Sequence, residues 1–197
     1  MKSVVGVLLA CMVVAVGCGG GGEEASKIRE IKTESMQKTG DTWKVAFTSE
    51  IPAPIDKVWA VIKQPEKGHD VLPENVLKSE LKSEEGNKKV VDLVIRLDIL
   101  PPGFKVQNPL NEFTYHDDEK RVEQKTLDFK LADINSEFRL KPSADGKSTL
   151  VEFNQTSKDK ASMIVESLQK GALRETYVIQ IKQIEKALGL DTGSKAS

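Results

Sequence analysis

The chain has 197 residues, 39% of them hydrophobic, which is enough for one domain with a core of its own. Its 29 basic and 30 acidic residues are interspersed and leave a formal net charge of −1. This balance gives no basic stripe for nucleic acid and no acidic tail for a cationic partner, so we expect no nucleic-acid binding.

The first 17 residues have the features of a secretory signal. Lys2 precedes an apolar stretch, Val4 to Val16, that is shorter than the roughly 20 residues of a permanent membrane-spanning helix. The stretch ends in Ala15-Val16-Gly17-Cys18, which resembles the lipobox of bacterial lipoproteins. The resemblance implies that residues 1–17 are removed and that Cys18 is acylated, anchoring the protein in a membrane on the periplasmic side of the envelope. The alternative is an ordinary signal peptide, cut nearby, with an incidental Cys18.

A flexible linker is predicted for residues 18–39. Gly19 to Gly22 and the charged residues after them have no apolar pattern, and about 20 such residues reach roughly 25 Å. In the lipoproteins that this motif resembles, an Asp after the Cys is a signal for retention in the inner membrane, so the resemblance with Gly19 implies the outer membrane in a Gram-negative cell. Since Cys11 lies in the signal, the mature domain has no thiol for a disulfide or a metal site.

The folded part begins with a strand and two short helices. Alternating apolar residues from Trp43 to Ile51 predict a half-buried strand. A helix is expected from Ile55 until Pro65 ends it, followed by a short helix or turn over Gly68 to Val76.

Six further strands are predicted from period-two alternation and turn signals, Asp145-Gly146 being the clearest hairpin tip. They are 76–84, 88–100, 104–115, 121–128, 135–141 and 148–156. A long helix with a broad apolar face is predicted from Lys160 to Leu188, capped by Gly189, before a frayed tail at 191–197. This order predicts an α+β fold in which a curved antiparallel seven-stranded sheet wraps around the long C-terminal helix.

Three stretches carry a family resemblance, and they occur in the expected order. They are SEIPAPIDKVWAVIKQPEK, DINSEFRLKPSADGKSTLVEFNQT and IVESLQKGALRETYVIQIKQIEKAL. Together they resemble the START-like (SRPBCC) superfamily, whose helix-grip fold serves polyketide cyclases and lipid-transfer proteins. The resemblance implies a ligand-binding domain over residues 40–190 with a tunnel between sheet and helix.

The apolar side chains expected to line that tunnel come from both walls and from the loop Leu100 to Phe104 at its mouth. They are Phe47, Trp59, Leu93, Ile95, Leu97, Phe104, Phe113, Tyr115, Phe138, Val151, Phe153, Met163, Ile164, Leu168 and Tyr177. A hydrophobic small molecule or lipid would be the partner, such as a quinone, sterol-like compound or polyketide. The same alternation also fits an ordinary, completely filled core.

No catalytic residue, metal site or cofactor site is predicted. His69 and His116 stand apart in turns or short helices, and no cysteine, histidine and carboxylate set has metal-ligand spacing. Polar residues that a cyclase-like or hydrolytic enzyme could use are few, and alternation points most of them outward. They are Arg96, Glu112, Gln124, Arg139, Gln155 and Arg174. The sequence therefore favours a periplasmic binding or carrier lipoprotein, with an enzyme or a cavity-free interaction module as alternatives.

Overall fold

The structure, a computed structural model, describes residues 31–160 and 164–190. The predicted signal peptide, the lipidation site Cys18, the residues up to Glu30, the cavity residue Met163 and the tail 191–197 lie outside the described residues.

Nine strands and three helices make up the described part of the chain. The strands are β1 (Thr33–Thr39), β2 (Thr42–Ile51), β3 (Val76–Glu85), β4 (Lys88–Arg96), β5 (Val106–Gln107), β6 (Leu110–His116), β7 (Arg121–Asp128), β8 (Ala132–Pro142) and β9 (Thr149–Asp159). The helices are α1 (Ile55–Ile62), α2 (Gly68–Val71) and α3 (Glu166–Ala187), and short 3₁₀ turns occur at Pro65–Lys67 and Pro102–Phe104. No described helix is long and apolar enough to cross a membrane.

A single antiparallel sheet curls around α3 to give the helix-grip fold that the sequence predicts. The strands lie in the order β1-β2-β9-β8-β7-β6-β4-β3, with β5 paired to β4. Strands that follow one another in the sequence pair along most of this path, because their connections are short. The pairing of β2 with β9 joins two strands that are far apart in the sequence. Alternate side chains of β2, from Trp43 to Ile51, are buried on the face toward α3.

The sheet has nine strands rather than seven for two reasons. The predicted strand 104–115 is divided at Pro109, so that β5 pairs with β4 and β6 begins after the proline. The second reason is β1, which occupies Thr33–Thr39, where a flexible linker was predicted; that prediction is wrong for these seven residues. The edge strand β1 is mostly exposed, so it has no buried face to produce an apolar alternation.

The long helix begins later than its apolar pattern suggests. β9 continues to Asp159, and α3 starts at Glu166 rather than at Lys160. Its C-terminus is capped as predicted: Gly189 has φ +66°, and the amide of Leu190 donates to the carbonyl of Glu185 at 3.0 Å.

Candidate ligand-binding cavity

A cavity of about 240 Å³ lies between the inner face of the sheet and α3 and is partly open to solvent. One face of the helix covers it, because Ala172, Thr176, Gln180 and Gln183 recur at intervals of three or four residues. The sheet supplies the opposite wall through inward-facing side chains of β4, β6, β7, β8 and β9. The space is therefore not the completely filled core that the sequence left open as an alternative.

The structure places six of the predicted cavity residues in this wall: Leu93, Ile95, Leu97, Phe113, Phe138 and Ile164. Eight others do not line it: Phe47, Trp59, Phe104, Tyr115, Val151, Phe153, Leu168 and Tyr177. These eight lie outside the cavity wall, and two packed regions explain their positions. Ligand contact by the predicted residues remains a prediction.

The first packed region fills the space between the sheet and the middle of α3. The ring of Tyr177 stacks on that of Phe47 with centroids 4.7 Å apart and lies 5.4 Å from that of Phe153. Phe138 packs against Phe153 at 4.7 Å and is the one member of this group that also reaches the cavity. Burial of the Tyr177 hydroxyl raises its pKa to about 12, as expected for a group far from water. Aromatic packing thus closes one end of the tunnel.

Trp59 belongs to the closed end for a different reason. Its indole lies edge-on to the ring of Tyr115 at 6.1 Å, and its Nε1–H donates to Oδ1 of Asp117 at 2.7 Å. Lys63 donates to the same carboxylate at 2.8 Å, and these two bonds hold the pKa of Asp117 below its usual range. Trp59 therefore joins α1 to the β6–β7 turn.

The second packed region lies where the loop after β4 meets the first turns of α3. Phe104 and Leu168 are partly buried there beside Leu97 and Leu100. A Cβ on Gly171 would lie 2.9 Å from Cγ1 of Ile99, so the glycine permits this close approach of loop and helix. Phe104 and Leu168 consequently support the cavity from outside its wall.

A row of amide and hydroxyl groups crosses the inner face of the sheet, where the sequence predicts apolar residues. Cross-strand pairing places Gln124 of β7 beside Ser136 of β8, and Ser136 beside Gln155 of β9. Gln124 Nε2 donates to Asn111 Oδ1 at 3.1 Å, and the Ser136 hydroxyl donates to Gln124 Oε1 at 3.4 Å. Asn111 in turn donates to the carbonyl of Pro109 at 3.2 Å. This part of the wall is internally hydrogen-bonded and preorganised.

Other polar groups in the wall make no hydrogen bond to another side chain in the described part of the chain. The side-chain amide of Gln155 has no such partner there, although the residue is only 9% exposed. Gln180 lines the cavity from α3, and its Oε1 is shielded from solvent without receiving a hydrogen bond from a described residue. These two amides converge on the cavity from opposite walls.

Sequence reasoning pointed most of the polar candidates outward without separating the exceptions, and the structure places Gln124 and Gln155 on the inner face. The signal that could have placed them inside is parity: Gln155 continues the inward series Val151 and Phe153, and Gln124 follows Val122. The other candidates do not line the cavity, including Arg174, whose direction on the helix the sequence left open. Glu112 and Arg139 lie on the outer face of the sheet, Arg96 pairs with Val106 near the cavity mouth, and Arg174 binds Glu34 at 3.1 Å.

A hydrogen-bonded cluster forms the rim of the cavity at the start of α3. Gln169 Oε1 accepts from Lys38 Nζ at 2.9 Å and from Trp43 Nε1 at 3.1 Å, while its Nε2 donates to Asp159 Oδ2 at 3.0 Å. Lys38 also lies 3.8 Å from the Asp159 carboxylate. The cluster fastens β1, β2 and β9 to the first turns of the helix.

Among the described residues that line the cavity, Asp159 is the only ionisable side chain. The two histidines lie elsewhere: His69 contacts the carbonyl of Val76 at 2.9 Å, and His116 lies 3.5 Å from Glu123. No group of three metal-ligating side chains is found within 31–160 and 164–190. The cavity wall can therefore exclude water and offer neutral hydrogen bonds, but it has no cation to pair with an anionic ligand.

Comparison with solved structures gives the same fold at low sequence identity. The Zhui aromatase/cyclase from Streptomyces sp. R1128 is 15% identical, with a TM-score of 0.64 over 75% of this chain and 94% of that one. A major latex-like protein 151 from Panax ginseng is 15% identical, with a TM-score of 0.60 over 76% and 99% of the two chains. A START superfamily protein from Mycobacterium smegmatis is 12% identical, with a TM-score of 0.58 over 72% and 97%.

No curated protein matches the chain. The family model for polyketide cyclase/dehydrase and lipid transport matches residues 42–177, which run from the start of β2 to Tyr177 of α3 and include most of the cavity wall. By this match, and with the helix-grip fold around the cavity, the chain belongs to the polyketide cyclase/dehydrase and lipid transport family.

Proposed function

We propose that this protein binds a small hydrophobic molecule in the cavity and holds or carries it in the bacterial periplasm, tethered to a membrane through Cys18. The observation that carries the proposal is the 240 Å³ space between sheet and α3, whose walls combine apolar side chains with a few neutral polar groups. Concave sites of this composition are typical of small-molecule binding.

The cavity volume limits the size of a ligand that is fully enclosed. A 150 Å³ apolar cavity holds benzene, so in proportion 240 Å³ holds about ten non-hydrogen atoms. A compound of one or two rings fits this volume, and a lipid with two acyl chains would extend far outside it. The volume therefore favours the compact ligands of the expected set, such as a quinone head or a small polyketide.

Extraction of small molecules from the purified protein, followed by mass spectrometry, tests whether a ligand co-purifies. Calorimetry with naphthalene, which has about the expected size, tests the cavity directly. Ala172→Phe places a ring in the cavity from the covering helix and should abolish naphthalene binding. Lys170→Phe, at an exposed position of the same helix, is the matched control and should bind normally. Absence of both a co-purifying ligand and naphthalene binding would contradict the proposal.

The membrane tether is proposed from the lipobox resemblance. Two or three acyl chains on Cys18 would anchor the protein stably, because each buried methylene contributes about 0.8 kcal/mol. We expect the wild-type full chain, expressed in a bacterium, to incorporate radiolabelled palmitate, and Cys18→Ser to incorporate none. Absence of the label from the wild type would contradict acylation and leave cavity binding untouched.

An enzymatic role is the second candidate, and the convergence of Gln155 and Gln180 on one space favours it. The amides can orient a polyketide for ring closure, but they cannot act as a general acid or base, and this weakens the candidate. Cyclisation with dehydration would remove one water from the substrate. Incubating the protein with its own co-purified ligand or a short poly-β-ketone and finding that mass loss would favour an enzyme over a carrier.

A further inference from the structure

We propose that the cavity selects an uncharged, hydroxyl-bearing ring compound, held by hydrogen bonds between Gln155 of β9 and Gln180 of α3, and that it rejects anions of the same size. The inference rests on the proposed function, since it assumes that the cavity binds a small molecule. It adds the chemical class of that molecule and names two residues that recognise it.

The first step of the argument concerns hydrogen-bonding capacity. Gln180 lines the cavity and makes no side-chain hydrogen bond to a described residue; since its Oε1 is shielded, the amide Nε2 is the group that can donate to a ligand hydroxyl oxygen. Gln155 is 9% exposed, and its amide, which has no partner among the described residues, can accept from the ligand hydroxyl through Oε1. A hydroxyl group is both donor and acceptor, so it can serve both amides.

The second step concerns why these two residues, rather than the neighbouring polar ones, recognise the ligand. Gln124 and Asn111 are engaged with each other at 3.1 Å, and Thr176 donates to the carbonyl of Ala172 at 2.8 Å. Their capacity is already used in holding the wall in place. Gln155 and Gln180 retain theirs and lie on opposite walls, on β9 and α3. Ser157 of β9 and Gln183 of α3 also line the cavity without a side-chain hydrogen bond to a described residue, so the single substitutions at Gln155 and Gln180 decide whether these two recognise the ligand.

The third step concerns charge. No Lys, Arg or His occurs among the described lining residues, and the one carboxylate, Asp159, is engaged at the rim by Gln169 at 3.0 Å. An anion enclosed by this wall would lose its hydration without gaining a cationic partner, which is strongly unfavourable. A carboxylate ligand such as a fatty acid should therefore be rejected.

Three probes of nearly equal size test the proposal by calorimetry on the purified protein at neutral pH. They are naphthalene, 2-naphthol and 2-naphthoate, which are apolar, hydroxylated and anionic respectively. We expect 2-naphthol to bind at least fivefold more tightly than naphthalene, because one net hydrogen bond contributes about 1 kcal/mol. We expect 2-naphthoate to bind at least tenfold more weakly than 2-naphthol, because its charge has no counter-ion in the wall.

Substitution then assigns the preference to the two amides. Gln180→Met and Gln155→Met keep the side-chain length and should each weaken 2-naphthol binding about fivefold. Naphthalene binding should be unchanged or tighter in both, which also shows that the variants are folded. Asn154→Leu, on the outer face of β9, is the control and should bind all three probes like the wild type.

The outcomes separate the inference from the function on which it rests. Naphthalene binding without a preference for 2-naphthol, or with a preference that both Met variants retain, overturns the inference and leaves the apolar cavity function standing. Binding of 2-naphthoate as tight as that of 2-naphthol also overturns it. If none of the three probes binds, both the inference and the cavity function are wrong.

Discussion

The aromatic packing at the closed end of the tunnel can be tested through Tyr115 and Tyr177, which are the only tyrosines in the sequence. Both are buried, at 4% and 0% exposure, and burial raises the pKa of each above its usual value of about 10. We therefore expect no tyrosinate in the folded protein at a pH where a free tyrosine is half ionised.

The expected effect on stability follows from the pKa of about 12 for Tyr177. Above about pH 10 the unfolded chain loses the tyrosine proton while the folded chain keeps it, so the free energy of unfolding falls as the pH rises. The contribution is complete below about pH 10 and is lost between about pH 10 and 12. Two pKa units at 1.36 kcal/mol each make the loss from Tyr177 about 2.7 kcal/mol.

The assay follows tyrosinate absorbance and circular dichroism together from neutral pH to about pH 12. We expect both signals to change in one transition, because the tyrosines ionise only on unfolding. Tyr177→Phe should lose about 2.7 kcal/mol less stability over the same interval, and comparison at equal pH cancels the lysine titration common to both proteins. Tyrosinate that forms near pH 10 while the circular dichroism stays native would show that water reaches these rings, and the aromatic packing described above would be refuted.

Three smaller predictions concern the rim, the closed end and a remote turn. Gln169→Met should lower the free energy of unfolding in urea by about 2 kcal/mol and shift the fluorescence of Trp43, since three hydrogen bonds of the rim are lost; unchanged stability would mean that the cluster contributes nothing. Trp59→Phe should cost about 1–2 kcal/mol through loss of the bond to Asp117 and of ring area, while naphthalene binding is retained because Trp59 does not line the cavity. Gly146→Ala should cost about 1 kcal/mol by thermal unfolding, because Gly146 has φ +68° and an added Cβ would meet no atom; a larger loss would point to a contact that the structure does not contain.

The fold was predictable because its strands and helices have strong periodic signals. The strand predicted at 121–128 is confirmed as β7 at both ends, and Asp145-Gly146 lies at the turn between β8 and β9. β1 was missed because six of its seven residues are polar, and it is held by pairing with β2 and by polar contacts of Glu34 and Lys38, which single-strand periodicity does not contain. The start of α3 was placed six residues early, since apolar residues before Glu166 extend the helical pattern beyond the helix.

The cavity was predicted less well than the fold, because its position depends on how completely the inward-facing side chains fill the space. Alternation identifies which side chains face inward, but Phe47 and Leu93 both face inward, and only one of them borders empty space. Which positions remain unfilled depends on the sizes of the side chains that project into the same space from the sheet and from α3. At the closed end, large rings such as Tyr177 reach the opposite wall, whereas Ala172 and Thr176 leave a gap above the sheet.

The polar residues of the inner face carry the information that apolar alternation lacks. In a filled core, a glutamine at the position of Gln155 would leave an amide unpaired and would cost about 1–3 kcal/mol. Such a residue is tolerable where the space beside it admits a polar partner, so a glutamine in phase with Val151 and Phe153 marks the boundary between filled core and cavity. The same reasoning applies to Gln124, in phase with Val122, and to Gln180 on the covering helix. Polar side chains that keep the inward phase of a strand therefore predict both the location of a cavity in this fold and the polarity of the molecule that occupies it.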